Sequence, residues 1–198
     1  PREIDSPTQH TLFIENKSKV NTSYLMLGFL GPKANNLREN ISLDLISIIL
    51  GEGTSCRLYQ NLIEKQPEPV FNMVGSEHYQ FKDGNNFFIQ ANFKPEKRDL
   101  AIELIKQEMT NLIDNKISQE ELLKAKKKIK SRFAYSAETV SEIGETIGYY
   151  MTVCDDLKLI EDYLKDVEDI SIEDLENTIK TYLNLNNAVI SLLEPEEI

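Results

Sequence analysis

The chain has 198 residues, 40% apolar and 28% charged, with a formal net charge of −11. That length can bury a sizeable single core, and the composition excludes wholesale disorder. No apolar run approaches the roughly 20 residues of a membrane-spanning helix, and the acidic balance disfavours nucleic acid, because phosphate binding needs clustered Lys and Arg. The one basic run, Lys124 to Lys130, is interrupted by helix-spaced apolar residues and reads as a solvated helix face.

Residues 1–9 carry two prolines and mixed charge and no initiating Met. They read as a linker from an upstream domain, so the chain is expected to belong to a longer protein. Residues 10–198 read as a single domain, and the compartment is not legible. Residues 10–15 are a strand with Leu12 and Ile14 on one face and Phe13 on the other, followed by a polar turn over 17–21. Residues 22–30 are apolar on both faces, which suits a central strand. Residues 37–50 form a helix whose stripe of Leu37, Ile41, Leu45 and Ile48 is widened by Ile46, Ile49 and Leu50. Gly51 to Gly53 break it, and Thr54 or Ser55 is expected to cap a second helix over 55–66 that turns Leu58 and Leu62 inward. Pro67-Glu68-Pro69 ends that helix.

Residues 70–81 alternate as a strand, with Val70, Asn72 and Val74 against Phe71, Met73 and Gly75. Asp83-Gly84 is a hairpin signal. The partner strand, 86–94, has the cleanest period of two, with Phe87, Ile89, Ala91 and Phe93 on one face. The remainder is helical. One helix spans 98–114, with Ala101, Leu104, Ile105, Leu112 and Ile113 inward. Ser118-Gln119-Glu120-Glu121 is a capping box opening a helix that buries Leu122, Ala125, Ile129 and Phe133 and pairs Glu120 with Lys124. A helix over 140–154 carries the stripe Ile143, Ile147, Met151, Cys154, with Gly144 and Gly148 spaced for close helix packing. Short helices cover 157–165 and 172–182, the latter capped by Ser171, and 188–193 is a closing strand. This order predicts an α+β fold: an antiparallel or mixed sheet of about five to six strands with helices on one face.

Residue-level chemistry is sparse. The two histidines, His10 and His78, lie on separate strand segments outside any H-E-x-x-H or H-x-x-E-H motif. Cys56 and Cys154 form no C-x-x-C pair and read as small, buried apolar residues. There is no G-x-S-x-G, and Gly51 to Ser55 lacks the G-K-[ST] ending of a phosphate loop. No catalytic group and no metal ligand set is assigned.

Several segments, in order, resemble the second domain of a half-enzyme of the M16 (pitrilysin and mitochondrial processing peptidase-like) zinc peptidases. Tyr24 to Pro32 resembles that domain's opening strand and G-P turn. Leu45 to Gly51 resembles its long helix ending in glycines, and Ser55-Cys56-Arg57-Leu58-Tyr59 its S-S-R-L-Y run. Ile117 to Lys126 resembles an I-T-x-E-E-L-x-x-A-K helix start, Ile170 to Leu175 a V-T-x-E-D-V element, and Ala188 to Pro195 the closing strand. Ser55, Arg57, Leu58, Glu64 and Lys65 are the motif residues retained. The resemblance implies a zinc-dependent endopeptidase parent, with zinc in an upstream domain or a partner half, none in this chain, a peptide substrate and a possible dimer. In the family an Arg and a Tyr of this domain assist the partner's zinc site. The matching positions here are Ile63 and Val70, which carry no donor. The resemblance therefore implies a non-catalytic domain forming part of the peptide-enclosing chamber and the subunit interface. The alternative is a degenerate scaffold subunit, like the respiratory-complex core proteins, with no role in proteolysis.

Overall fold

The computed structural model describes residues 10–196; the segment read as a linker, 1–9, lies outside the described residues. Five strands form one mixed sheet: β1 (Leu12–Ser18), β2 (Ser23–Leu30), β3 (Phe71–Tyr79), β4 (Asn86–Phe93) and β5 (Val189–Pro195), in the order β1-β5-β2-β4-β3. β1 runs parallel to β5; the other neighbours are antiparallel. The helices are α1 (Leu37–Gly51), α2 (Arg57–Tyr59, continued by a π-helical turn over Gln60–Glu64), α3 (Arg98–Asp114), α4 (Gln119–Tyr135), α5 (Val140–Tyr149, continued by a π-helical turn over Tyr150–Cys154), α6 (Lys158–Asp169) and α7 (Ile172–Tyr182). The expected α+β class and its sheet size are what the structure has.

One sheet face, with Leu25, Leu27, Phe29, Phe87, Ile89, Phe93, Ile190 and Leu192, is buried. α1 is the central helix of that layer, packing on β3, α4 and α7. Its wide stripe is accounted for by this position, because Leu43, Leu45, Ile46 and Leu50 are all fully buried. Polar clamps fix its start: Arg38 donates to Asp174 Oδ1 and Oδ2 at 2.7 and 2.6 Å and to the Asp169 carbonyl at 3.1 Å. Asp174 also closes the α7 capping box with Ser171. The Arg38 hydrogen bond, opposed by burial and reinforced by Ser171, holds the Asp174 carboxyl far below its ordinary range. The Ser118–Glu121 capping box and the Glu120–Lys124 pair form as expected.

Several local readings change. β1 extends through Ser18, into the stretch read as a turn, because β5 pairs with it along its length. β2 is central, but only one of its faces is covered; Tyr24 and Met26 are exposed on the other. A bulge between Phe71 and Met73 disturbs the parity of β3, so Phe71 joins Val70 and Val74 in the core while Asn72 is exposed. The β3–β4 connection spans residues 80–85 rather than a tight Asp-Gly turn. On α5 the stripe of Ile143, Ile147 and Met151 is exposed, and neither Gly144 nor Gly148 has a neighbour within 4 Å of a would-be Cβ. Cys56 is buried as expected, whereas Cys154 is only half-buried.

Asn85 shows how the long β3–β4 connection is held. It is fully buried, accepts from the Phe81 amide at 2.6 Å and donates to Asn40 Oδ1. Asn40 in turn donates to the carbonyls of Lys33 and Ala34 at 2.8 and 3.3 Å. Asn85→Ala leaves the Phe81 amide and the buried Asn40 Oδ1 without this partner, at about 1–3 kcal/mol. Urea denaturation of the variant is expected to show a loss of about 2 kcal/mol; an unchanged midpoint would show that the pair is not structural.

Candidate functional site

The glycine break after α1 is built by close approach. α1 ends at Gly51, and Gly53 adopts a φ of 79°, a left-handed conformation open to glycine at little cost. The helix that follows is capped by Cys56, whose Sγ accepts from the Tyr59 amide at 3.4 Å, rather than by Thr54 or Ser55. Arg57 then reaches across to the start of α4. Its Nε and NH2 donate to Glu121 Oε1 and Oε2 at 2.6 and 3.0 Å, and NH2 also reaches the Lys116 carbonyl at 3.2 Å. Burial pushes the Glu121 carboxyl up, but Arg57 and the Ser118 amide and hydroxyl outweigh it and hold the pKa at about 2.

The residues singled out from the sequence do not converge. Ser55, Glu64 and Lys65 are exposed, with Lys65 Nζ donating to Asn61 Oδ1 at 2.8 Å. Leu58 and Val70 are core residues, and Ile63 is half-buried against that core. The motif thus acts as a brace: Leu58 anchors the short helix and Arg57 ties it to α4. His10 is exposed, whereas His78 lies on β3. Among the described residues, no group of three or more His, Cys, Asp or Glu side chains is arranged to hold a metal ion.

The larger concavity lies elsewhere. A cleft of about 960 Å³ runs between the C-terminal half of α1, β3, and the residues of α4, α5 and α6 that face them. A hydrogen-bonded chain lies along it. The Tyr149 hydroxyl donates to Gln80 Oε1 at 2.5 Å, Gln80 Nε2 donates to Asp44 Oδ2 at 3.0 Å, and Asp44 Oδ1 lies 2.7 Å from His78 Nδ1. The His78 side chain is 1% exposed, and its Nε2 is buried with no partner. Burial pushes the phenols of Tyr149, Tyr150 and Tyr163 up, Tyr150 to about 12, and the Asp44 charge pushes each further the same way. All three therefore stay protonated at neutral pH. At the rim Arg132 pairs with Glu52, and Lys128 Nζ donates to the Glu52 carbonyl at 2.8 Å.

Sequence reasoning missed this cleft. One signal was present: Asp44 is a lone carboxylate inside the apolar run Leu43 to Leu50. Its partners are His78 of β3 and Gln80 just beyond that strand, with Tyr149 of α5 joined through Gln80, at distances in sequence that periodicity does not bridge.

The chain matches the family model described as the peptidase M16 inactive domain over residues 1–129. A protein of Rickettsia felis described as an uncharacterized zinc protease is 30% identical over 163 residues, covering 82% of this chain and 39% of that protein. Among solved structures, a protease from Helicobacter pylori superposes with a TM-score of 0.84 at 24% identity, over 96% of this chain and 45% of that one. The peptidase M16 inactive domain from Pseudomonas fluorescens does so with a TM-score of 0.83 at 20% identity, over 95% and 44%. The chain thus spans about two fifths of the Rickettsia relative's length. With the sequence match over residues 1–129 and the shared fold over nearly the whole chain, the protein belongs to the M16 peptidase family, as the type of domain that the family model describes as inactive.

Proposed function

We propose that this chain is the non-catalytic domain of an M16-type zinc protease subunit, where it forms part of the wall of a peptide-enclosing chamber and packs against an upstream zinc-binding domain. The observation that carries this reading is the open face of the sheet. In a chain that is 28% charged, the strand residues on that face include Leu12 and Ile14 of β1, Tyr24 and Met26 of β2, Phe88 of β4 and Leu193 of β5, and the one charge among them is Glu77. Leu12, Ile14, Tyr24 and Met26 are exposed. Polar but uncharged residues such as Ser191, Gln90 and Asn92 are interleaved among them, and a face so depleted of charge marks a protein interface. The relatives' extra length supports a neighbouring part of the same polypeptide as its occupant.

The test uses full-length protein. Met26→Lys adds a charge at an exposed site, so the stability of the chain alone is expected to change by less than about 0.5 kcal/mol. In the full-length protein the same change is expected to lower β2 hydrogen-exchange protection and zinc-dependent peptide cleavage. Full protection and full cleavage in that variant would overturn the interface. A scaffold role is favoured by one feature, the apolar, core-packed state of Ile63 and Val70. Full-length protein that holds no zinc and cleaves no unstructured peptide would select that reading.

A further inference from the structure

We propose that the cleft between α1, β3 and α5 is a binding site for an organic cation bearing N–H donors, an alkylguanidinium or alkylammonium group. The proposal is independent of the chamber reading, since it rests on this chain's side chains alone. Its volume of about 960 Å³ lies at the upper end of the range of small-molecule sites.

The cation assignment follows from what the cleft offers. Asp44, Glu52 and Glu145 line it, and the two cations at its rim, Arg132 and Lys128, both pair with Glu52. Such a lining gives a negative potential that walls of low dielectric focus. The aromatic rings of Tyr149, Tyr150, Tyr163 and Phe133 also line it, and ring faces attract cations. The phenols remain neutral, so they offer ring faces and hydroxyls rather than further charge.

The requirement for N–H donors comes from His78. In the neutral ring, Nδ1–H donates to Asp44 Oδ1, which leaves Nε2 as an acceptor. That acceptor is buried and unpartnered, a state that costs free energy until a donor reaches it. Asp44 is held in place by His78 and Gln80, and Gln80 by Tyr149. The acceptors are therefore preorganised, which lowers the ordering cost of binding. A guanidinium has several donors in one plane and can reach a carboxylate oxygen while stacking on a tyrosine, with a further N–H left for Nε2 once the side chains that cover it give way.

The experiment is a titration of the folded chain with n-butylguanidinium, followed by amide NMR shifts and calorimetry. Saturable binding is expected, with the largest shifts at residues 76–80. The neutral isostere n-butylurea is expected to bind at least about tenfold more weakly, equivalent to about 1.4 kcal/mol. Tetramethylammonium, a cation without N–H donors, is expected to fall between the two. Asp44→Asn should weaken butylguanidinium at least about tenfold. Glu145→Gln, at an exposed position that leaves the hydrogen-bonded chain intact, should weaken it about threefold and covers the case in which Asp44→Asn does not fold. An acetylated peptide with one internal arginine separates the sources. Binding by the peptide assigns the site to an arginine side chain, and its exclusion assigns it to a free cation. Equal affinity for butylurea, or no saturable shift at about ten times a millimolar dissociation constant, would overturn the proposal.

Discussion

Gly51→Ala is expected to cost about 3 kcal/mol, the upper end for overpacking a close-packed site. A Cβ at this position would lie 2.1 Å from the Ser76 amide nitrogen, 2.3 Å from Ser76 Oγ and 2.8 Å from Ser76 Cα. Two of these are backbone atoms of β3, so no rotamer change relieves the clash. Either the end of α1 lifts off the sheet or β3 moves. Ser76 Oγ also donates to the Ser47 carbonyl at 3.0 Å, a bond that either movement stretches. For a chain of this length the melting temperature should fall by roughly 6–12 °C. Other glycines calibrate the result. Gly53→Ala meets only the flexible end of Lys128 at 3.3 Å but carries the positive φ, so a loss of about 1–2 kcal/mol is expected. Gly144→Ala and Gly148→Ala meet nothing within 4 Å inside a helix, and each should stabilise by about 0.5–1 kcal/mol. Thermal denaturation of the four variants tests the whole series. A Gly51→Ala variant as stable as the parent would mean that α1 and β3 are further apart than described.

Arg57→Ala is expected to cost about 2 kcal/mol at pH 7, and the cost should shrink in acid. The Glu121 carboxyl falls from 4.5 to about 2 on folding. That fall is equivalent to roughly 3 kcal/mol, and partial solvent access to Glu121 discounts it to about 2 kcal/mol. The sign follows from the depressed folded-state value. Above pH 4.5 the carboxylate is ionised in both states and the stabilisation is complete. Between 4.5 and about 2 the unfolded chain takes up the proton first, so stability falls with pH until the folded carboxyl also protonates. Arg57→Ala removes the partner that, with Ser118, depresses the value, so parent and variant should converge as the pH approaches 2. Arg57→Lys keeps the charge but loses the two-pronged geometry on Glu121 Oε1 and Oε2, and should recover only part of the loss. Urea titrations at pH 7, 4 and 2.5 measure this. A gap between parent and Arg57→Ala that stays constant with pH would show that the residue acts by packing alone.

Much of the fold could be read from the chain because it is written in local periods. The 86–94 alternation gave the buried face of β4 residue by residue, since side chains of a strand alternate whatever lies around them. The wide stripe of 37–50 required burial on several sides, and α1 lies at the centre of its layer. The three caps at Ser118, Thr139 and Ser171 are short-range chemistry, and two of them were legible. Local reading failed where a distant partner overrode the period. The bulge in β3 changes which side chains point inward, and it arises from pairing with β4. The stripe on α5 has the pattern of a buried helix, but none of the described elements covers it.

The sequence by itself determined the class, the element order and the family, because each of these is carried by residue identity at short spacing. Only the tertiary structure decided that Arg57 is a brace on Glu121. It also decided that the sheet leaves one nearly uncharged face open, and that Asp44, His78, Gln80 and Tyr149 meet in one cleft. The physical reason is separation along the chain. These residues come from α1, the end of β3 and α5, and strand pairing and helix packing, rather than any local propensity, bring their polar atoms within hydrogen-bond distance.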